Sequence, residues 1–172
     1  STQYTCDKAC SRHPWLRDIV AVTGNLRADK LVAMQQDRNE IRLKFGFKEH
    51  ETIIIIMSTF GEFSLMENIG DELIKKCYKL MRKGAFKFII SIHPHLWSGN
   101  YSKKKPYGTF LLQQEEIGFT IIRPGEDYAP YLIASDFAIT DHTSLSVSYA
   151  LLGKPLLITQ AEGSSLAEGS PG

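Results

Sequence analysis

The chain has 172 residues and a mass of 19.4 kDa, which is the size of one domain. Its apolar content of 43% and charged content of 23% are typical of globular proteins and exclude global disorder. A net charge of +1 excludes the strong basic excess of proteins that bind duplex nucleic acid, so we expect no nucleic-acid partner.

Neither a membrane span nor a secretory leader is predicted. No apolar run approaches the ~20 residues that cross a bilayer, and no basic-then-apolar segment opens the chain. The three cysteines, Cys6, Cys10 and Cys77, are few and odd in number. This disfavours a disulfide scaffold and fits a reducing compartment, so we expect a cytoplasmic protein.

The two ends indicate a fragment of a longer chain. The chain begins at Ser1, and residues 1–14 show no clean periodicity, so we expect an irregular end. Cys6, Cys10 and His13 have near-ligand spacing but lack a fourth ligand, and we expect no zinc there. Residues 161–172 contain AEGS twice and are typical of a flexible tail, with a truncated native loop as the alternative.

Strands and helices alternate along the middle of the chain. The unbroken apolar run at 53–59 is typical of a strand buried on both faces, and Gly84 and Gly153 are placed to end helices. In chain order we predict a short strand at 19–22, helix 28–45, strand 53–59, helix 65–83, strand 87–92, helix 108–116, strand 119–122, helix 127–134, strand 137–140, helix 144–153 and strand 155–159. This alternation predicts an α/β fold, a doubly wound parallel sheet with helices on both faces.

Polar residues follow three of these strands. They are Ser58-Thr59, His93-Pro94-His95 and the run from Asp141 to Ser144. Ligands of open parallel sheets bind outside the carboxyl ends of the strands, so this edge, which we call the rim, is the predicted site.

Two chemistries are open for the rim residues. Thr143 and Ser144 fit either a phosphate-binding helix start or ordinary capping, and no dinucleotide-binding or P-loop motif is present. His93 fits either a proton or hydrogen-bond donor or a histidine without chemistry. His93, His95 and His142 lack acidic or thiolate partners at ligand spacing, so we expect no metal. Lys103–Lys105 fits a solvated loop or a surface for anionic substrate or lipid.

Four stretches carry a resemblance to one family. SDFAITDHTSLSVSYALLGKPLLIT at 135–159 resembles the signature of bacterial CDP-glycerol glycerophosphotransferases, the teichoic-acid polymerase and primase family. Residues 22–29 resemble its TG-x-P-R-x-D element, 53–60 its strand ending in A-P-T-[FW], and 89–94 its strand ending in K-x-H-P. Asp127-Tyr128 is similar to the acidic stretch before its SD motif. The elements occur in family order over residues 20–160.

The resemblance implies one half of a GT-B architecture. Residues 51–160 are then a Rossmann-like donor-nucleotide-binding domain, and 1–50 are a linker and helical lead-in from a missing N-terminal domain. It implies that His93 is catalytic and that Asp136 and Asp141 are mainly structural. The donor-binding set that it implies is Ser58, Thr59, Pro94, Asp127, Asp141, His142, Thr143 and Ser144.

The implied reaction moves glycerol phosphate from CDP-glycerol to a hydroxyl acceptor, a polyol phosphate or glycan, in cell-wall or surface polymer synthesis. No cofactor is expected besides this substrate. The full-length protein is expected in the cytoplasm, with peripheral contact on the inner membrane face as an open question. His142, Ser148 and Gly61-Glu62 depart from the family pattern. A nucleotide-sugar glycosyltransferase or a UDP-N-acetylglucosamine 2-epimerase-like domain is therefore the alternative, with a non-catalytic module third.

Overall fold

The computed structural model describes residues 3–163, and its strands form one parallel sheet in the order β3-β2-β1-β4-β5. The strands are β1 (Thr52–Ser58), β2 (Phe86–Ile92), β3 (Thr120–Ile122), β4 (Phe137–Thr140) and β5 (Leu156–Ile158). The α-helices are α1 (Gln3–Arg12), α2 (Leu26–Ala33), α3 (Arg38–Lys44), α4 (Leu65–Met81), α5 (Pro94–Ser98), α6 (Tyr107–Glu116), α7 (Ala129–Ala134) and α8 (Ser144–Ala150). The predicted α/β fold is confirmed.

The central strand explains why its sequence is apolar without alternation. In β1, Ile55 lies opposite Ile89 of β2 on one side and Ala138 of β4 on the other. Ile53, Ile55, Ile56 and Met57 are fully buried, because helices cover both faces of the sheet. Burying each such side chain stabilises the fold by roughly 1.5–3 kcal/mol.

Two apolar layers flank the sheet, as the doubly wound prediction requires. One layer packs Leu31, Ile41 and Tyr149, from α2, α3 and α8, against the faces of β1, β2 and β4. The other packs Ile74 of α4 and Leu111 of α6 against the opposite face, together with further side chains of both helices. The helices of residues 26–44 therefore share the core of the sheet.

The amino-terminal third of the chain differs from the sequence prediction. Residues 3–12, expected to be irregular, form helix α1, and a 3-10 turn follows at Pro14–Asp18. The strand predicted at 19–22 is wrong: Ile19 is 69% exposed and adjoins no strand in the described part of the chain, and an unpaired strand is not stable. Helix 28–45 is interrupted by a 3-10 turn at Met34–Asp37.

Several element ends shift by a few residues. The sequence missed α5, in which Pro94 occupies the first turn, where its lack of an N–H costs nothing. Helix α8 ends at Ala150, three residues before Gly153, whose φ of +66° turns the chain toward β5. Of the tail predicted at 161–172, residues 164–172 lie outside the described residues.

An ionic cluster fixes the amino ends of the strands. The buried Arg42 donates to the carbonyl oxygens of Ala134 (3.1 Å) and Glu51 (2.6 Å) and to a carboxylate oxygen of Asp136 (3.1 Å). Arg38, one turn earlier on α3, also pairs with Asp136. Asp136 accepts the backbone N–H of Ile53 as well (2.8 Å), so its predicted structural role is confirmed.

Candidate functional site

The rim brings together residues that are distant in the sequence. Ser58 ends β1, His93 follows β2 and Asp141 follows β4, and parallel strands place these ends along one edge. A cavity of about 200 Å³ opens there. Five of the predicted site residues line it, namely Ser58, His93, Pro94, Thr143 and Ser144.

The buried side chain of Asp141 connects the elements of the rim through hydrogen bonds. It is 1% exposed, and its carboxylate accepts the Ser58 hydroxyl (2.9 Å) and the backbone N–H groups of Thr59 (2.8 Å) and Leu65 (2.8 Å). The Ser58 hydroxyl in turn accepts the N–H of Met66 (3.1 Å). These contacts join β1, β4 and the start of α4, so Asp141, Ser58 and Thr59 act here as positioning residues.

His93 is held in one orientation at the end of β2. Its backbone N–H donates to the carbonyl of Ser58 (3.0 Å), and its side chain caps α5, with Nδ1 accepting the N–H of His95 (3.2 Å). A ring nitrogen that accepts a hydrogen bond carries no proton, so the neutral ring carries its proton on Nε2. Burial, and then the charge of His95, lower the pKa of His93. At neutral pH the ring is therefore a neutral Nε2–H donor.

Aromatic rings support His93. The ring of Phe60 lies 4.4 Å from that of His93 and 5.0 Å from that of His95, and Tyr101 lies 4.6 Å from His95. Ring contacts at these separations are favourable and restrict rotation of the side chains. The packing therefore orients the imidazole of His93 in addition to the hydrogen bond at Nδ1.

The lysine run belongs to a loop that is tied to α4. The buried Glu67 accepts the hydroxyl of Ser102 and the backbone N–H of Lys103 (3.2 Å). The ammonium of Lys103 pairs with Glu62, and that of Lys105 pairs with Asp71 at 2.6 Å. Two of the three lysines are thus paired with neighbouring acids, which favours the solvated-loop interpretation.

Thr143 and Ser144 begin helix α8, as predicted. The Thr143 hydroxyl caps the helix through the N–H of Leu145 at 3.5 Å, and the Thr143 carbonyl accepts the N–H of Ser146 at 3.0 Å. Ser144 is the first helical residue. Both residues line the cavity with His93, so its wall includes two hydroxyl-bearing residues and an imidazole.

The end of β3 contributes a fourth group of residues that the sequence analysis missed. Arg123 and Glu126 line the cavity, beside Tyr128, which the motif resemblance had already singled out with Asp127. The backbone N–H of Arg123 donates to Oε2 of Glu126 (3.1 Å), and the N–H of Glu126 donates to the carbonyl of Arg123 (3.1 Å). The criterion that identified the other rim residues, polar side chains directly after a strand, also applies to Arg123 and Glu126.

A second cavity of about 360 Å³ adjoins the first. It shares Gly125, Glu126 and Tyr128 with the first cavity and is also lined by residues of α2, α8 and the loop before α7, namely Arg27, Lys30, Asp127 and Ser148. Asp127 pairs with Lys30 at 3.4 Å and caps α7 through the N–H of Ala129 (3.0 Å). Asp127 thus lies beside the second cavity, whereas Thr59, Asp141 and His142 line neither.

A larger cavity, of about 650 Å³, lies at the opposite edge of the sheet. It is lined by Arg38, Arg42 and Asp136, whose charges are already paired with one another. The rim is therefore the better candidate. Among residues 3–163, no group of three or more metal-ligating side chains comes together, and no helix combines the length and apolar character that crossing a membrane requires.

Comparison with known sequences decides the family. Residues 6–165 match the family described as CDP-glycerol:poly(glycerophosphate) glycerophosphotransferase. The chain belongs to this family. The resemblance predicted from its motifs is thereby confirmed, while no curated protein sequence matches the chain.

Solved structures show the same fold for this glycerophosphotransferase-family chain. It is similar to the wall teichoic acid polymerase TagF with a TM-score of 0.57 and 18% identity, over 90% of this chain and 36% of that one. A histidine-to-asparagine variant of TagF matches with a TM-score of 0.60 and 17% identity, over 90% of this chain and 37% of that one. Such a variant soaked with CDPG matches with a TM-score of 0.51 and 20% identity, over 77% of this chain and 30% of that one. The chain therefore spans about a third of the length of these proteins.

Proposed function

We propose that this chain is the donor-binding domain of a glycerophosphotransferase that moves glycerol phosphate from CDP-glycerol to a hydroxyl acceptor. The observation that carries the proposal is the geometry of His93. It is a neutral imidazole fixed with Nε2–H as its free donor, and it lines a rim cavity together with two hydroxyl side chains. Family membership over residues 6–165 supports glycerol phosphate as the transferred group.

In the proposed reaction, an acceptor hydroxyl oxygen attacks the β-phosphorus of CDP-glycerol. The bond from that phosphorus to the bridging oxygen breaks, CMP leaves with the electron pair, and the proton of the acceptor hydroxyl passes to solvent. Phosphoryl transfer depends on positioning and on stabilisation of charge on the phosphate oxygens. Nε2–H of His93 donates to a phosphate oxygen or to the leaving oxygen, while the hydroxyls of Thr143 and Ser144 hold the diphosphate.

The remainder of the full-length protein supplies the acceptor site. We propose that residues 1–50, whose helices α2 and α3 pack on the sheet of the donor-binding domain, lead in from a further domain and that the two domains together form a GT-B enzyme, because the chain spans about a third of the TagF structures. A polyol phosphate or glycan of a surface polymer is the proposed acceptor. Contact with the inner face of the membrane is proposed for the full-length protein as the place where such a polymer grows.

The test uses the full-length protein and measures release of CMP from CDP-glycerol with a poly(glycerophosphate) acceptor. UDP-N-acetylglucosamine, with release of UDP or UMP, is the matched control donor. We expect turnover with CDP-glycerol as the donor and no turnover with UDP-N-acetylglucosamine. Turnover of the UDP-sugar without CDP-glycerol turnover would instead establish a nucleotide-sugar enzyme. Absence of binding by either nucleotide would indicate a module without catalysis.

A further inference from the structure

We infer that Glu126 binds the vicinal hydroxyls of the donor's ribose and so determines that the donor is a ribonucleotide. The inference rests on the proposed function, because it takes the diphosphate to lie beside His93. It concerns a residue from the loop after β3 that neither the motif resemblance nor the sequence pattern singled out.

The position of Glu126 is the first argument. It lines both the cavity that contains His93, Thr143 and Ser144 and the adjoining larger cavity. In a nucleoside diphosphate the ribose joins the phosphates to the base. With the phosphates in the first cavity and the base in the second, the ribose lies at their junction, beside Glu126.

The carboxylate of Glu126 is already oriented. Its Oε2 accepts the backbone N–H of Arg123 (3.1 Å) and the hydroxyl of Tyr131 (3.3 Å). Within residues 3–163, its Oε1 accepts no hydrogen bond. An ionised carboxylate only accepts hydrogen bonds, and bonds to it are stronger than those between neutral groups. Glu126 is exposed at the cavity wall, so a pair of neighbouring ligand hydroxyls can reach this oxygen and replace solvent as its donors.

The surrounding charges favour hydroxyls over phosphate at this point. The guanidinium of Arg123 turns to Glu115 (2.6 Å), and the ammonium of Lys30 pairs with Asp127 (3.4 Å). Among the residues that the structure describes, the carboxylate of Glu126 therefore pairs with no cation, and it would repel a phosphate group. This orients the donor with its diphosphate toward His93 and its sugar toward Glu126.

Binding of CDP and 2′-deoxy-CDP to the full-length protein, measured by calorimetry, tests the inference. A site that hydrogen-bonds a substrate hydroxyl strongly disfavours the analogue that lacks it. We expect the wild type to prefer CDP by about tenfold or more. In Glu126→Gln this preference should fall to within about twofold. The charge-assisted hydrogen bond that is lost accounts for a factor of about ten or more. Glutamine keeps a carbonyl oxygen for the N–H of Arg123, so the loop should be retained.

Glu115→Gln is the matched control, because Glu115 also binds Arg123 but lines neither cavity. It should keep the preference for CDP. Two results would overturn the inference and leave the proposed function standing. One is a wild type that binds CDP no more tightly than 2′-deoxy-CDP. The other is a Glu126→Gln variant whose ratio of the two affinities equals that of the wild type. Equal weakening of both nucleotides in Glu126→Gln would show that the residue only supports the loop. A wild type that binds neither would overturn the proposed function and the inference with it.

Discussion

The backbone N–H of His95 donates to Nδ1 of His93 at 3.2 Å, and this one contact decides which proton His93 can offer. Pro94 lies between the two residues and begins α5, so the turn that brings them together starts where β2 ends. Because Nδ1 is the acceptor, Nε2 keeps the proton. A local capping bond therefore leaves Nε2–H as the donor that His93 can offer to a ligand.

Replacing His93 with alanine should lower the turnover of CDP-glycerol by about 10²-fold or more, which is the scale for loss of one positioned proton donor. The melting temperature should fall by only a few degrees, because the side chain is half-buried and its loss removes one capping bond to His95 and the ring contact with Phe60. Initial rates and thermal unfolding of the full-length protein provide the measurements. His142→Ala is the control, since His142 lines neither cavity. A His93→Ala variant that melts far lower yet keeps its rate would make the residue structural.

The lowered pKa of His93 predicts a pH dependence of stability. Burial, with the charge of His95 as a second cause, lowers the pKa in the folded state. The unfolded chain, with a histidine pKa of about 6.5, then binds more protons as the pH falls below that value. Stability should therefore decrease between about pH 6.5 and 5, and less steeply in His93→Ala. Parallel melting curves of the two proteins over this range would contradict the prediction.

Asp141→Asn should destabilise the fold by about 2–4 kcal/mol, because the amide replaces one acceptor oxygen with a donor facing other donors. The groups affected are the N–H groups of Thr59 and Leu65 and the hydroxyl of Ser58. Urea unfolding of the full-length protein, followed by circular dichroism, gives the free energy. Asp127→Asn, at an exposed carboxylate, should change it by no more than about 0.5 kcal/mol. Equal effects would contradict a structural role for Asp141.

The two arginines that share Asp136 should differ in their contributions to stability. Arg42 is 5% exposed and also binds backbone carbonyls, so Arg42→Ala should cost about 3–5 kcal/mol. Arg38 is a third exposed and, within residues 3–163, its guanidinium binds only Asp136, so Arg38→Ala should cost about 1 kcal/mol or less. The midpoints of denaturant unfolding of the two variants and the wild type provide the comparison. The reverse order would show that the exposed pair dominates this cluster.

Ser144→Ala should weaken CDP binding by about tenfold or more without weakening cytidine, because the proposed role of this hydroxyl is to bind the diphosphate. Ser144 is not the helix cap, so the melting temperature should stay within about 2 °C. Thr143→Ala, which also removes the cap bond to Leu145, should lower both CDP affinity and stability. Calorimetry with CDP and cytidine is the measurement. Equal losses for nucleotide and nucleoside in Ser144→Ala would remove the residue from the diphosphate site.

The sequence by itself determined the features that depend on local pattern. The apolar run in β1 indicated a strand buried on both faces, and the alternation of elements indicated a parallel sheet with helices on both sides. Placing His93, Thr143 and Ser144 at strand ends was sufficient to put them on one edge. Strand ends and helix starts are determined by nearby residues, which is why these predictions hold.

Tertiary structure alone decided which of these residues face the ligand space. Asp141 follows a strand just as His93 does, yet its carboxylate is buried by bonds to residues more than 70 positions away, at Ser58 and Leu65. Glu126 gains its place at the junction of two cavities only when β3, α2 and α8 are assembled. The strand predicted at 19–22 lacked a neighbour to pair with, which local sequence cannot reveal. Such outcomes depend on contacts between distant segments, and the pattern along the chain does not contain them.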